Sequence, residues 1–190
     1  MAQNQPANTE VKGSYDKKEE ILFDNKRYRK YNNYLTGGAG YAGSTLRTQV
    51  QKVVGADFHF HIRKQYFMAG LLMSGEEFLS NNNVQFHACY GIREEKNLSN
   101  ITIFAGPSVF TGVEGTPGIS APTYYQGIGA YFCFEGIIKF KYDIGLGVDV
   151  FAELSPKQNL GGLKFIFFFS SAYRGLKGNY NPHVKSENRR

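Results

Sequence analysis

A long alternation of apolar and polar residues runs from residue 139 to residue 154. The odd positions are Lys, Asp, Gly or Glu with one exception, Phe151, and the even positions are Phe140, Tyr142, Ile144, Leu146, Val148, Val150, Ala152 and Leu154. Because successive side chains of a β-strand point to opposite faces, this pattern predicts a strand with one apolar face. Ordinary globular strands have about 5 to 6 residues, so such a long strand requires an unusual setting.

The same alternation recurs along the body of the chain. The other candidate strands are 34–44, 54–62, 66–73, 84–93, 101–109, 127–135 and 163–173. Short connections at 63–65, 94–97 and 136–138 alternate with longer ones, rich in Gly, Pro, Asn and Ser, at 45–52, 75–83, 114–123 and 155–160. The sequence therefore predicts an all-β fold: eight antiparallel strands in up-and-down order, with both chain ends on the rim of short turns.

Composition and charge exclude several classes of protein. No apolar run approaches the ~18 residues of a spanning helix, and two cysteines, Cys89 and Cys133, are too few for a disulfide scaffold or a zinc ribbon. The net charge of +6 lies in the ends, because residues 1–33 carry +2, residues 174–190 carry +4 and residues 34–173 are neutral. We predict a polar N-terminal segment (1–33), a barrel (34–173) and a basic C-terminal tail (174–190).

Alternation alone leaves open which face of the barrel is apolar. A soluble lipid-binding barrel has the apolar face inside, whereas a transmembrane barrel has it outside. Gly and charges of both signs share the polar face, the apolar face of 140–154 is uncharged, and the loops are long on one rim only. These features favour the membrane. The predicted lipid-facing residues are Phe58, Phe60, Ile101, Ile103, Ile128, Phe132, Phe134, Phe140, Ile144, Leu146, Val148, Val150, Phe165 and Phe167.

This pattern resembles the small eight-stranded outer-membrane barrels of Gram-negative bacteria, with the barrel domain of outer membrane protein A as the type. The resemblance covers residues 34–173 and includes the loop asymmetry and the Phe-rich closing strand. It implies that the bacterial outer membrane is the location and that the short-turn rim, with both chain ends, is periplasmic. A signal peptide is then expected to be absent from this chain or removed. The absence of Trp and the polar tail after the last strand depart from the pattern.

Charged residues on the polar face are predicted to fill the lumen. Eight strands enclose little more than their own side chains, so opposite charges must neutralise each other there instead of lining a pore. We expect a structural network with no ion pathway. Its predicted members are Asp57, Arg63, Arg93, Glu135, Lys139, Lys141, Asp143, Asp149, Glu153 and Lys164.

No catalytic, cofactor or metal site is expected from the sequence. His59 and His61 share a face with His87, but no carboxylate or Cys stands at ligand spacing, so we expect hydrogen-bonded lumen residues. The register predicts no His beside Ser44, Ser74 or Ser108, which weighs against a lipid-modifying enzyme. Cys89 and Cys133 are expected about 10 Å apart, too far for a disulfide.

The functional hypothesis is a closed, non-enzymatic barrel that serves as a structural or accessory subunit of an outer-membrane assembly. Its alternatives are an outer-membrane enzyme of acyl transfer or deacylation and a soluble lipid-binding barrel. Expected partners are lipid and other outer-membrane or periplasmic proteins; nucleic acid is not expected, because the neutral body offers no basic folded face. The predicted partner-binding residues of the ends are Arg27, Tyr28, Arg29, Lys30, Arg189 and Arg190.

Overall fold

A computed structural model of the chain describes residues 20–76, 78, 83–114 and 123–176, and its regular elements are all strands. Among these residues, no helix is long and apolar enough to cross a membrane. The strands are β1 (Glu20–Phe23), β2 (Lys26–Arg29), β3 (Tyr34–Ser44), β4 (Gln51–Ile62), β5 (Gln65–Gly75), β6 (Asn83–Glu95), β7 (Ser99–Glu114), β8 (Thr123–Lys141), β9 (Ile144–Leu154), β10 (Asn159–Ser170) and β11 (Tyr173–Leu176).

Eight of these strands, β3 to β10, close into an antiparallel barrel. Each pairs with its neighbours in sequence, and β10 closes the ring on β3 in a register that runs from Leu160 opposite Ser44 to Ser170 opposite Tyr34. The chain therefore has the predicted fold, an eight-stranded up-and-down transmembrane β-barrel. Its outer face is apolar, and its lumen holds charged side chains such as Lys164 together with apolar ones such as Phe104. The apolar outer face excludes the soluble lipid-binding barrel as a fold.

The two rims differ as predicted. Short turns at 63–64, 96–98 and 142–143 share one rim with the start of β3 and the end of β10. The connections between β3 and β4 and between β9 and β10 lie on the other rim. The chain thus enters the barrel and leaves it at the short-turn rim.

The long alternation at 139–154 contains a turn that the sequence did not reveal. Strand β8 runs through the predicted turn at 136–138 and ends at Lys141. The turn is formed by Tyr142 and Asp143, and β9 begins at Ile144. A two-residue turn leaves the parity unchanged, so even-numbered residues such as Phe140 and Ile144 face outward on both sides of it. The prediction of one strand was wrong because the alternation passes through the hairpin unbroken.

The chain ends contribute a small sheet at the short-turn rim. Its strand order is β1-β2-β11, so it joins the N-terminal segment to the residues that follow the barrel. Strand β11 crosses the predicted boundary between residues 173 and 174. Tyr28 in β2 is buried, with its ring centroid 4.9 Å from that of Tyr142 in the β8–β9 turn. Burial and the nearby Asp143 carboxylate raise the pKa of Tyr28 above its usual value.

A proline interrupts one ladder of the barrel wall. The register between β6 and β7 is continuous up to His87 opposite Ser108 and resumes at Tyr90 opposite Ala105. Between these pairs Pro107 stands opposite Ala88, and proline has no N–H to donate. The Ala88 carbonyl therefore lacks its ladder hydrogen bond from β7 at mid-height of the strands.

Candidate functional site

The middle of the lumen contains an ion cluster centred on Lys164. Its Nζ lies 3.1 Å from Asp57 Oδ2 and 2.9 Å from Asp149 Oδ2, and all three side chains are buried. Lys164 in β10 stands directly opposite Asp149 in β9, whereas Asp57 lies in β4, which is separated from β10 by β3. One ammonium thus pairs with carboxylates of two strands, β4 and β9, that are not neighbours in the barrel.

Two histidines extend this central cluster. His87 Nε2 lies 2.8 Å from Asp57 Oδ1, and His59 Nε2 lies 3.3 Å from Glu135 Oε1. Gly70 in β5 stands between Asp57 and His87 in the register, and a Cβ at that position would overlap both polar atoms. The absence of a side chain at residue 70 therefore allows the two residues to meet across an intervening strand.

Aromatic and hydroxyl groups hold the same histidines and carboxylates. Tyr34 stacks on His59, and Tyr131 stacks on His87, each with ring centroids 4.0 Å apart. Thr102 Oγ1 donates to Glu135 Oε2 at 2.8 Å, and the Tyr34 hydroxyl donates to the same oxygen at 3.2 Å. The predicted hydrogen-bonded role of His59 and His87 in the lumen is confirmed.

A second group of charges, the rim cluster, lies nearer the short turns. Glu95 accepts from Lys139 Nζ at 2.5 Å and from Arg93 at 2.7 Å, and Tyr31 N–H also donates to it at 2.7 Å. Arg93 additionally donates to the Asn32 carbonyl at 2.8 Å. Sequence reasoning missed Glu95, although it shares the parity of Arg93 and could have been found from it.

Glu153 extends the buried charges toward the long-loop rim. Its Oε1 accepts from the Ser108 hydroxyl at 3.2 Å, and its side chain is buried as predicted. Seven of the ten predicted lumen residues are therefore inside the barrel: Asp57, Arg93, Glu135, Lys139, Asp149, Glu153 and Lys164.

Three predicted lumen residues lie at the rim instead. Arg63 and Lys141 are exposed at the ends of short turns, and Asp143 is half-exposed in the β8–β9 turn. Arg63 adopts a left-handed backbone with φ of 59°. The alternation identified the face but not the height along the barrel, and these residues stand beyond the end of the lumen.

The predicted lipid-facing residues all lie on the outer face. Twelve of the fourteen are exposed, and Phe60 and Val148 are half-exposed. Cys89 and Cys133 are buried free thiols, as predicted. His61, by contrast, is half-exposed near the rim and contacts Asn33.

The residues predicted to bind partners divide into two groups. Arg27, Arg29 and Lys30 are half-buried at the rim sheet, and Arg189 and Arg190 lie outside the described residues. Tyr28 is 3% exposed and packs on the barrel, so the prediction that it contacts a partner was wrong. It anchors the sheet instead.

The structure also overturns the expectation that no His stands beside a barrel Ser. His87 lies directly opposite Ser108 in the β6–β7 register. The Ser108 hydroxyl, however, donates to Glu153, and His87 Nε2 contacts Asp57. The residue types of a Ser-His-Asp triad are therefore neighbours without the hydrogen bond from Ser to His that activates the nucleophile.

Three carboxylates of the central cluster lie close together. Asp57, Glu135 and Asp149 each offer an oxygen within 4.8 Å of the others. Lys164 pairs with Asp57 and Asp149, and His59 contacts Glu135. A metal ion would therefore have to displace these side chains from the carboxylates.

Comparison with models of protein families finds no match, and comparison with curated proteins finds none either. Among solved structures, Neisserial surface protein A (NspA) matches with a TM-score of 0.59 at 10% identity, over 73% of this chain and 96% of that one. The N-terminal β-barrel domain of Pseudomonas aeruginosa OprF matches with 0.52 at 9% identity, over 73% and 98%. Ail, the attachment invasion locus protein of Yersinia pestis, matches with 0.53 at 4% identity, over 75% and 97%. The chain thus has the fold of small eight-stranded outer-membrane barrels.

Proposed function

We propose that this chain is a closed, non-enzymatic barrel of the bacterial outer membrane that acts as a structural or accessory subunit of an outer-membrane assembly. The observation that carries the proposal is the packed lumen. Lys164, Asp57 and Asp149 are buried at mid-height, and Lys139 and Glu95 are buried near the rim. A lumen filled by buried ion pairs and by apolar side chains such as Phe104 offers a rigid scaffold and no solute path.

The rim sheet supports an accessory role. In the described part of the chain, β1 and β11 are its two edges, and each pairs only with β2. An edge strand presents backbone N–H and C=O groups that can pair with a strand of another protein. Tyr28 fixes this sheet to the barrel, so a partner bound there is held at a defined position on the short-turn rim, which we assign to the periplasm.

Copurification from native membranes tests the accessory role. Chains lacking residues 2–30 or 177–190 are compared with the full chain, and heat-modified gel mobility verifies that each barrel is folded. We expect a folded barrel that loses a copurifying protein when the segment with β1 and β2 is removed. Retention of every partner by both shortened, folded chains would contradict the proposal.

A lipid-modifying enzyme is the second candidate, favoured by the placement of His87 opposite Ser108 and near Asp57. All three side chains are buried within the closed lumen, away from a lipid substrate. Release of acyl chains from phospholipid vesicles by the folded protein, lost in Ser108→Ala, would establish this function over the accessory role. We expect no such activity.

A further inference from the structure

The short-turn rim carries an excess of basic side chains. Where side chains are described, nine basic and three acidic ones outside the lumen reach the surface of this rim. The basic residues are Lys26, Arg27, Arg29, Lys30, Arg63, Lys64, Lys96, Lys141 and Arg174, and the acidic residues are Asp24, Glu94 and Asp143. On the long-loop rim, the described residues Arg47, Lys52 and Lys157 accompany Glu76, which pairs with Arg47 at 3.4 Å. The positive surface is thus concentrated on one rim.

Several of these basic residues follow directly on outward-facing apolar residues. Arg63 follows Ile62, which is 57% exposed, and Lys141 follows Phe140, which is 63% exposed. Arg174 likewise follows the outward-facing Tyr173, which is 47% exposed. Basic side chains in this position stand where the hydrocarbon of a bilayer gives way to its headgroups.

The same residues are distributed around the barrel instead of gathering on one side. The β4–β5 turn with Arg63 and Lys64 is opposite the β8–β9 turn beside Lys141 in the ring of strands. Lys96 lies in the β6–β7 turn between them, and Arg174 follows the end of β10. A partner protein or a nucleic acid needs a basic patch on one face, whereas a surrounding leaflet meets a ring.

We propose that this ring, the basic collar of Arg63, Lys64, Lys96, Lys141 and Arg174, binds the phosphate groups of anionic phospholipids in the adjoining leaflet. Exposed ammonium and guanidinium groups pair with phosphodiester oxygens, and each such group at a charged membrane surface adds to the attraction. Glu94, which is 3.2 Å from Lys96, lowers the contribution of that one site. The collar therefore gives the barrel a preferred lipid shell on one leaflet.

Lipid selectivity tests the proposal directly. The folded full-length chain is reconstituted in phosphatidylcholine vesicles with trace spin-labelled phosphatidylglycerol or spin-labelled phosphatidylcholine, and the immobilised fraction of each is measured. We expect the relative association of phosphatidylglycerol to exceed that of phosphatidylcholine by roughly fivefold, and to fall toward one in 1 M salt, where the Debye length is about 3 Å.

Matched variants assign the selectivity to the collar. Lys64→Gln, Lys141→Gln and Arg174→Gln together remove three charges from the short-turn rim, and Arg47→Gln, Lys52→Gln and Lys157→Gln remove three from the long-loop rim. The first set should lose most of the preference, and the second should keep it. Heat-modified mobility checks that both are folded.

Equal association of the two lipids with the unmodified chain would overturn the proposal, and so would equal loss in both triple variants. The proposal would also be overturned if the unmodified chain showed no lipid selectivity but bound a short oligonucleotide saturably, and the collar variant lost that binding. The rim would then be assigned to nucleic acid. The proposal goes beyond the accessory role and does not depend on it: loss of lipid selectivity leaves copurification unaffected, and loss of partners leaves the lipid preference in place.

Discussion

At the scale of single residues, Lys164 joins two buried carboxylates of the lumen, those of Asp57 and Asp149. Replacing it with Met removes the ammonium and leaves Asp57 and Asp149 as buried carboxylates without their shared cation. We expect the free energy of unfolding to fall by about 3 to 5 kcal/mol, the usual cost of breaking a buried pair on one side. Urea unfolding of the reconstituted barrel measures it. Lys141→Met, at an exposed rim position, should change it by less than about 0.5 kcal/mol; equal losses would mean that the cluster is not stabilising.

A second residue tests the lipid-facing surface. Val150 lies on the outer face of β9 beside Asp149, near mid-height of the barrel, and is 49% exposed. An Arg on the lipid-facing surface at mid-height of a transmembrane barrel lowers the free energy of unfolding by about 2 to 4 kcal/mol, so Val150→Arg should destabilise the reconstituted barrel by that amount. Val50→Arg, which changes an equally apolar residue in the exposed β3–β4 loop, is the control. If both variants unfold at the urea concentration of the unmodified chain, the outer face of β9 does not contact hydrocarbon.

At the scale of elements, the β6–β7 ladder can be completed. Pro107→Ala supplies an N–H opposite the Ala88 carbonyl. The new hydrogen bond satisfies a carbonyl that finds no water to bond within a bilayer. This gain should exceed the ~0.4 to 1 kcal/mol of unfolded-state entropy that proline confers, so we expect a net stabilisation of about 1 kcal/mol. Hydrogen exchange should show a protected amide at residue 107. Val109→Ala, on the same face of β7, should bring no gain; a less stable Pro107→Ala chain would contradict the prediction.

The same scale shows what the sequence can and cannot predict. Period-two alternation identified all eight barrel strands and the inward direction of Asp149 and Lys164. It missed the Tyr142–Asp143 turn because that turn contains neither Gly nor Pro, while Gly136 gave a turn signal within a strand. It also could not place Arg63, since parity defines a face and the height along the barrel depends on where each strand ends.

The contacts between side chains inside the lumen could not be predicted from the sequence, for a related reason. Asp57 meets Lys164 from a strand that is not its neighbour, and His87 reaches Asp57 only because Gly70 leaves room. Such pairings depend on the closure and stagger of the whole ring. Alternation supplies the inward-facing residues, and the three-dimensional register selects which of them pair.

At the scale of the whole molecule, these pairings predict a closed barrel. Eight strands enclose a space that side chains can fill, and here buried charges occupy both its middle and its short-turn end. A hydrated path would require Lys164 and Lys139 to leave their carboxylates, which costs several kcal/mol at each cluster. We therefore expect the purified chain in planar bilayers to show no sustained conductance of porin size. Lys139→Ala with Glu95→Ala removes the rim cluster and leaves the central one, so it should stay closed as well. Steady large openings of the unmodified chain, recorded from folded protein, would show that the lumen is a pore.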